Sequence, residues 1–194
     1  MSRRLLSLLP VLLLGCQPKF EDDTADGDAD ADTDTDTDAD ADTDTDVDLV
    51  GTIIINELMP SNQSGLQDEA GAYPDWIELY NPGTDDVSLG GWTITDDLDE
   101  PDRHELDGSL SVPAGGFLVL FADDDEEDGA NHLNFDLSAD GEDVGIFDDS
   151  GRPSDQIVFG AMVGDLSAAR MPDGSTNWEI TDAPTPGTSN GTAR

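Results

Sequence analysis

Positive charge is nearly missing from this sequence. Its 194 residues hold 46 Asp or Glu against 7 Lys or Arg, and the formal net charge is −39. No lysine occurs after Lys19. Affinity for nucleic acid comes mainly from basic side chains that neutralise phosphates, so no nucleic-acid partner is expected. Cysteine is down to Cys16 alone, which rules out an intrachain disulfide. Two histidines and one cysteine are too few for a zinc site made of Cys and His alone. Beyond residue 14 there is no long apolar run, and no segment carries ten residues of helical period. His-Glu-x-x-His is also missing, which removes the commonest helical zinc-hydrolase pattern.

What is present falls into three unequal parts. Residues 1–15 begin with Arg3 and Arg4 and continue as an apolar stretch, Leu5 to Leu14, broken only by Ser7 and Pro10. Ten residues of helix span roughly 15 Å, about half of a bilayer's hydrocarbon core. A signal-peptide apolar region fits that length and a spanning helix does not. The stretch ends Leu13-Leu14-Gly15-Cys16, which resembles a bacterial lipoprotein box. The resemblance implies cleavage between Gly15 and Cys16, with lipid on the Cys16 sulfur and on the new amino terminus. The membrane is then a partner through Cys16. A single acyl chain anchors weakly, whereas the several chains of a lipidated cysteine hold a protein stably.

Residues 16–48 carry the lipidated cysteine and a low-complexity tract. From Asp26 to Asp48 nearly every second residue is Asp, alternating with Ala and Thr. Alternation of this kind reads as a strand only when the other positions are apolar, and Ala and Thr offer little area. Like charges two residues apart lie inside the ~8 Å Debye length of physiological salt. The acidic tract Glu21–Asp48 is therefore expected to be disordered and extended, a tether of at most roughly 90–100 Å.

Residues 49–194 hold 31 of the acids, and their only basic residues are Arg103, Arg152, Arg170 and Arg194. Short apolar runs alternate with turn residues. Strands are predicted at Thr52–Leu58, Asp75–Tyr80, Val87–Leu89, Gly91–Thr95, Phe117–Ala122, Asn134–Leu137, Asp143–Asp148 and Asp155–Gly160, with a short edge at Ala168–Met171. Many short strands without helical period mean an all-β sandwich or barrel. The expected core is Ile53, Ile55, Ile77, Leu79, Trp92, Ile94, Phe117, Val119, Phe121, Phe135, Ile146, Ile157 and Phe159.

The order of motifs in this third part carries a resemblance. Ile55-Asn56-Glu57-Leu58, Asp75-Trp76-Ile77-Glu78-Leu79-Tyr80-Asn81, Leu89-Gly90-Gly91-Trp92-Thr93-Ile94 and Pro113-Ala114-Gly115-Gly116-Phe117 come first. Phe135-Asp136-Leu137-Ser138, Gly141-Glu142-Asp143-Val144, Asp155-Gln156-Ile157-Val158-Phe159, Arg170-Met171-Pro172-Asp173-Gly174 and Pro184-Thr185-Pro186-Gly187-Thr188-Ser189-Asn190 follow. Together they resemble a lamin tail domain over 51–191. The resemblance implies an immunoglobulin-like β-sandwich of the bacterial kind. It lends no catalytic residues, so no enzyme is expected.

Several side chains are candidates for chemistry. Glu57 and Glu78 stand in similar strand contexts, and paired carboxylates can do acid–base work when their environments differ. They are read as strand carboxylates on a solvated face, or one of them as bonded to a loop. His104 and His132 are read as surface residues. Two acidic loops, Asp96, Asp97 and Asp99, and Asp123, Asp124, Asp125 and Glu126, are the candidate calcium ligands, because calcium takes carboxylate and carbonyl oxygens. Trp76 and Trp92 are read as packing residues, and Trp178 as the exposed one in a loop-like tail.

The sequence thus describes a lipid-anchored lipoprotein of the bacterial cell envelope, in the outer membrane and facing the periplasm or the cell surface. Gln17 is not the Asp that commonly follows the cysteine of a lipoprotein retained in the inner membrane. The sandwich is expected to be a binding or adhesion module for an envelope protein or a glycan. The alternatives are a structural surface coat, a calcium-dependent interaction module and an accessory part of a secreted hydrolase system.

Overall fold

The computed structural model describes residues 53–191. Residues 1–15 and 16–48, with Gly15 and Cys16, lie outside the described residues. Among those described there are twelve strands and no helix. They are β1 (Ile54–Met59), β2 (Asp75–Tyr80), β3 (Val87–Ser88), β4 (Thr93–Thr95), β5 (His104–Glu105) and β6 (Ser111–Val112), then β7 (Phe117–Ala122), β8 (His132–Leu133), β9 (Asp143–Phe147), β10 (Pro153–Val158), β11 (Ser167–Arg170) and β12 (Trp178–Thr181). A six-stranded sheet runs β12-β11-β1-β2-β7-β8, a four-stranded sheet runs β10-β9-β4-β5, and β3 pairs with β6. Every pairing is antiparallel except β7 with β8. The architecture is the immunoglobulin-like sandwich that the sequence implies.

Period-two alternation decides what each face of the larger sheet does. On β2, Ile77 and Leu79 point into the main core, where they meet Ile94, Val144 and Ile146 of the smaller sheet. Trp76 points the other way and packs with Met59 and Phe121 in a second apolar cluster. On β1 the alternation is reset. A register shift between Ile55 and Glu57 marks a bulge at Asn56. Ile55 and Leu58 both reach the core across it, and Glu57 is placed opposite Glu78 on the reverse face.

Ten of the thirteen expected core residues are buried, and Phe117, Val119 and Ile157 are half-buried. Phe117 stacks on Tyr80 with ring centroids 5.0 Å apart, on the face away from the main core. The strand expected at Asn134–Leu137 is not one. Phe135 and Leu137 are buried there without a ladder, apart from an isolated bridge between Asp123 and Asp136. The pairing falls earlier instead, at His132–Leu133 beside β7. Trp178 does not lie in a loop-like tail. It opens β12, is half-buried, and lies under the Arg170 guanidinium at 4.6 Å from ring centroid to Cζ.

One turn has no room for a side chain. Gly141 adopts φ +96°, and a Cβ there would lie 2.6 Å from the carbonyl oxygen of Phe159. Both the backbone angle and the contact oppose any larger residue. Gly141→Ala is expected to cost roughly 3 kcal/mol. Gly160→Ala, where a Cβ meets nothing within 4 Å, is expected to be near neutral. Urea melts of the two variants compare these costs directly.

Candidate functional site

The paired carboxylates are not on a solvated face. Glu57 and Glu78 are both fully buried, and the strip of chain from Thr185 to Asn190 covers them. The Thr185 N–H donates to Glu57 Oε2 at 3.0 Å, the Thr185 hydroxyl oxygen lies 3.2 Å from the same atom, and Ser167 Oγ donates to Oε1 at 2.5 Å. The Gly187 N–H donates to Glu78 Oε2 at 2.6 Å, and Asn56 Nδ2 donates to Oε1 at 2.9 Å. All four carboxylate oxygens are thus engaged.

Asn56 and Asn190 knit this latch together. Asn56 Nδ2 also donates to Asp173 Oδ1 at 3.0 Å, and Asn56 Oδ1 accepts from the Gly174 N–H. Asn190 donates through Nδ2 to the carbonyls of Asn56 and Arg170. It also accepts the Thr185 hydroxyl at 2.6 Å. Ser189 Oγ donates to Asp173 Oδ2. Behind the latch, Arg170 donates to the carbonyls of Ile55 and Ser175 and forks onto both oxygens of Asp155 at 2.9 and 3.1 Å.

Burial is the main reason these carboxyls hold protons tightly. It pushes Glu78 up to about 8, helped by the nearby charges of Glu57 and Asp173 and opposed by the donors Asn56 and Gly187. Burial raises Glu57 as well, against the donors Ser167 and Thr185. A substrate would find neither group accessible. The pair holds a chain segment, and the second sequence reading, a carboxylate bonded to a loop, is true of both. The latch also contains the spelling Gly187-Thr188-Ser189-Asn190-Gly191, a Gly-x-Ser-x-Gly, a pattern that sequence reading took to be absent. Ser189 Oγ bonds to Asp173 and to the Gly191 N–H, not to a histidine, and the segment is no strand-to-helix turn.

The two histidines gather at the other acidic feature of the domain, and both are buried rather than on the surface. His104 is 6% exposed and His132 is 2% exposed. His104 Nδ1 accepts the Asn134 N–H at 3.2 Å, which fits the neutral ring that burial favours. His132 sits between carboxylates. Its Nδ1 lies 2.7 Å from Asp123 Oδ2 and its Nε2 lies 3.3 Å from Glu69 Oε2. Burial opposes charge on this ring, but the hydrogen bonds and charges of Asp123 and Glu69 outweigh it and raise its pKa.

The seven candidate calcium ligands take different places. Asp96 is ion-paired to Arg103 at 2.5 Å. Asp97 Oδ1 accepts the Asp99 N–H at 3.0 Å, closing a local turn. Asp124 is exposed at φ 56°, and Asp125 is exposed beside it. The two loops approach each other at His104, whose Nδ1 lies 3.7 Å from Glu126 Oε2. Asp123, Asp128 and His132 form the one set among the described residues whose ligand atoms all lie within 4.8 Å of one another. Sequence reading missed His132 as a member, and Asp128, which closes the acidic run read as a calcium loop, was not among the seven ligands chosen. The signal available was a histidine four residues after a carboxylate, in the loop that leaves the most apolar strand.

A third feature is apolar. Ile157, Val158, Phe159, Met162, Trp178 and Ile180 line a shallow groove of about 350 Å³ between β10 and β12. Val158 is 76% exposed and Ile180 is 60% exposed. Each of these strands is the last in its sheet.

No curated protein matches the chain. The family description Lamin Tail Domain matches residues 48–161. The match ends before β11, β12 and the latch, although β11 pairs directly with β1 inside the matched span. It covers more than half of the sequence, and the chain belongs to the lamin tail domain family.

Proposed function

We propose that this protein is a lipid-anchored envelope lipoprotein that presents its lamin tail sandwich as a non-catalytic binding module. The observation that carries the binding role is the groove between β10 and β12. Two large aliphatic side chains, Val158 and Ile180, stand exposed there side by side on terminal strands, while the other exposed large hydrophobics among the described residues, Tyr73 and Val163, lie outside the groove. Exposed apolar surface of this kind on a soluble domain marks a place where another molecule docks. The fully engaged Glu57 and Glu78 pair supports the non-catalytic reading, since the best acid–base candidates in the sequence serve to hold the latch. Anchoring rests on the Leu13-Leu14-Gly15-Cys16 box, and the acidic tract supplies the stand-off from the bilayer.

The partner is an envelope protein or a glycan. Photo-crosslinking from Val158 and Ile180 on intact cells tests this. A discrete adduct from these positions, missing when the crosslinker sits at the exposed Asp140, is the expected result. Equal labelling from all three positions would favour the surface-coat reading.

A further inference from the structure

We propose that Asp123, Asp128 and His132 form a binding site for a divalent transition metal of the zinc type, with Glu69 beside it. Four observations support the site. The ligand atoms of the three residues already lie within 4.8 Å of one another, so small side-chain movements bring them around one ion. The imidazole of His132 is 2% exposed and held by packing, with the Phe121 ring 5.0 Å away. It is a preplaced nitrogen ligand. Each of its ring nitrogens faces a carboxylate, Asp123 on one side and Glu69 on the other. With the metal on Nδ1, beside Asp123, the opposite nitrogen keeps Glu69 as the carboxylate partner that fixes its tautomer, the usual support of a metal-bound histidine. Finally, Asp123 Oδ1 is buried without a hydrogen-bond partner among the described residues. A buried carboxylate oxygen left so costs free energy, and a cation beside it would remove that cost.

The donor set selects the metal. Calcium and magnesium take oxygen ligands almost throughout, whereas zinc and its neighbours favour imidazole nitrogen with carboxylate. Two carboxylates and one imidazole leave a fourth position, which water can fill. Asp128 is exposed, so the ion has an entry path and this ligand has freedom to close on it. Glu69 lies in the loop between β1 and β2, while Asp123 and Asp128 lie between β7 and β8. An ion here would therefore pin two separate loops together. The site differs from the oxygen-only calcium loops expected from sequence and shares only Asp123 with them.

The test is zinc titration calorimetry on the full chain in detergent, with millimolar magnesium present to occupy the acidic tract. One equivalent of zinc at micromolar affinity is expected, weakened at least tenfold in Asp128→Ala. This variant alters an exposed loop residue and leaves the core intact. His132→Asn is expected to abolish the same phase, and zinc is expected to raise the melting temperature more than equimolar calcium does. Zinc binding that is unchanged in Asp128→Ala, or no one-equivalent phase in the unaltered chain, would overturn the proposal. Stabilisation by calcium equal to that by zinc would overturn it too, since the nitrogen ligand would then be idle.

Discussion

Asn56→Asp is expected to destabilise the domain by about 3–5 kcal/mol at pH 8, a loss of roughly 10 °C or more in melting temperature. The substitution keeps the shape of the side chain and turns one atom, Nδ2, from a donor of two hydrogen bonds into an acceptor. Asn56 Nδ2 now donates to Glu78 Oε1 at 2.9 Å and to Asp173 Oδ1 at 3.0 Å. An aspartate would set a third carboxylate against those two, with Glu57 paired across the strand from Glu78. Both donors would be lost and like charge added in a place closed to water. Asn56→Ala removes the donors without adding charge, so it is expected to cost less. Thermal melts at pH 8 compare the two. Equal losses would mean that the amide acts by its volume and not as the donor between carboxylates.

The second large effect is on pH. Stability is expected to fall as pH rises from 5 to 8, the reverse of an ordinary salt-bridged domain. Glu78 is pushed up to about 8, Glu142 up to about 7 and Asp75 up to about 6, in each case mainly by burial. A carboxyl whose folded pKa lies above its unfolded value binds protons more tightly when folded. Its stabilising contribution is full below the unfolded pKa, near 4, and is lost as pH climbs through the folded value. The relevant window is therefore about pH 4.5–8. Glu78 is fully buried, and a shift of its size corresponds to a few kcal/mol, on the order of 1.4 kcal/mol per unit. His104, lowered by burial, acts in the opposite sense below about pH 6.5. Asp148 resists protonation, since its bonds to Arg152 and Ser150 outweigh desolvation. Its contribution is lost only as pH falls below the ordinary carboxylate range. Urea melts at fixed high salt isolate these groups from general repulsion. A flat profile between pH 5 and 8 would contradict the protonated state of the buried acids. In Asn56→Asp the slope is expected to steepen, because the added carboxyl must also take up a proton to be tolerated.

Much of the sandwich was legible because its long strands advertise themselves. Asp75–Tyr80 and Phe117–Ala122 appear with the boundaries predicted, since the first holds four apolar or aromatic residues before an Asn-Pro-Gly turn and the second is an unbroken apolar run closed by acid. The two-residue strands at His104–Glu105, Ser111–Val112 and His132–Leu133 were not legible. A period of two cannot be read from two residues. Trp178–Thr181 was missed because it stands among turn-forming residues and gains its ladder from β11.

The latch was hidden for a different reason. Glu57 looked like a solvated strand residue because the bulge at Asn56 is invisible in the sequence, and because its donors Ser167 and Thr185 lie 110 and 128 residues away. The histidines look polar and isolated along the chain. Parallel pairing of β8 with β7 brings His132 opposite Phe121 and encloses it. Asp123 was picked out for its charge. Its neighbours in the acidic run stay in solvent, while it turns inward to meet His132.

The claim on which the functional account turns is covalent attachment to the bilayer at Cys16. Intact-mass and fragment-ion analysis of the chain extracted from bacterial membranes tests it most directly. The account expects a mature chain that begins at Cys16, with a diacylglycerol thioether on its sulfur and an acyl group on its amine. A chain that begins elsewhere, or one that carries a free Cys16 thiol, would contradict it.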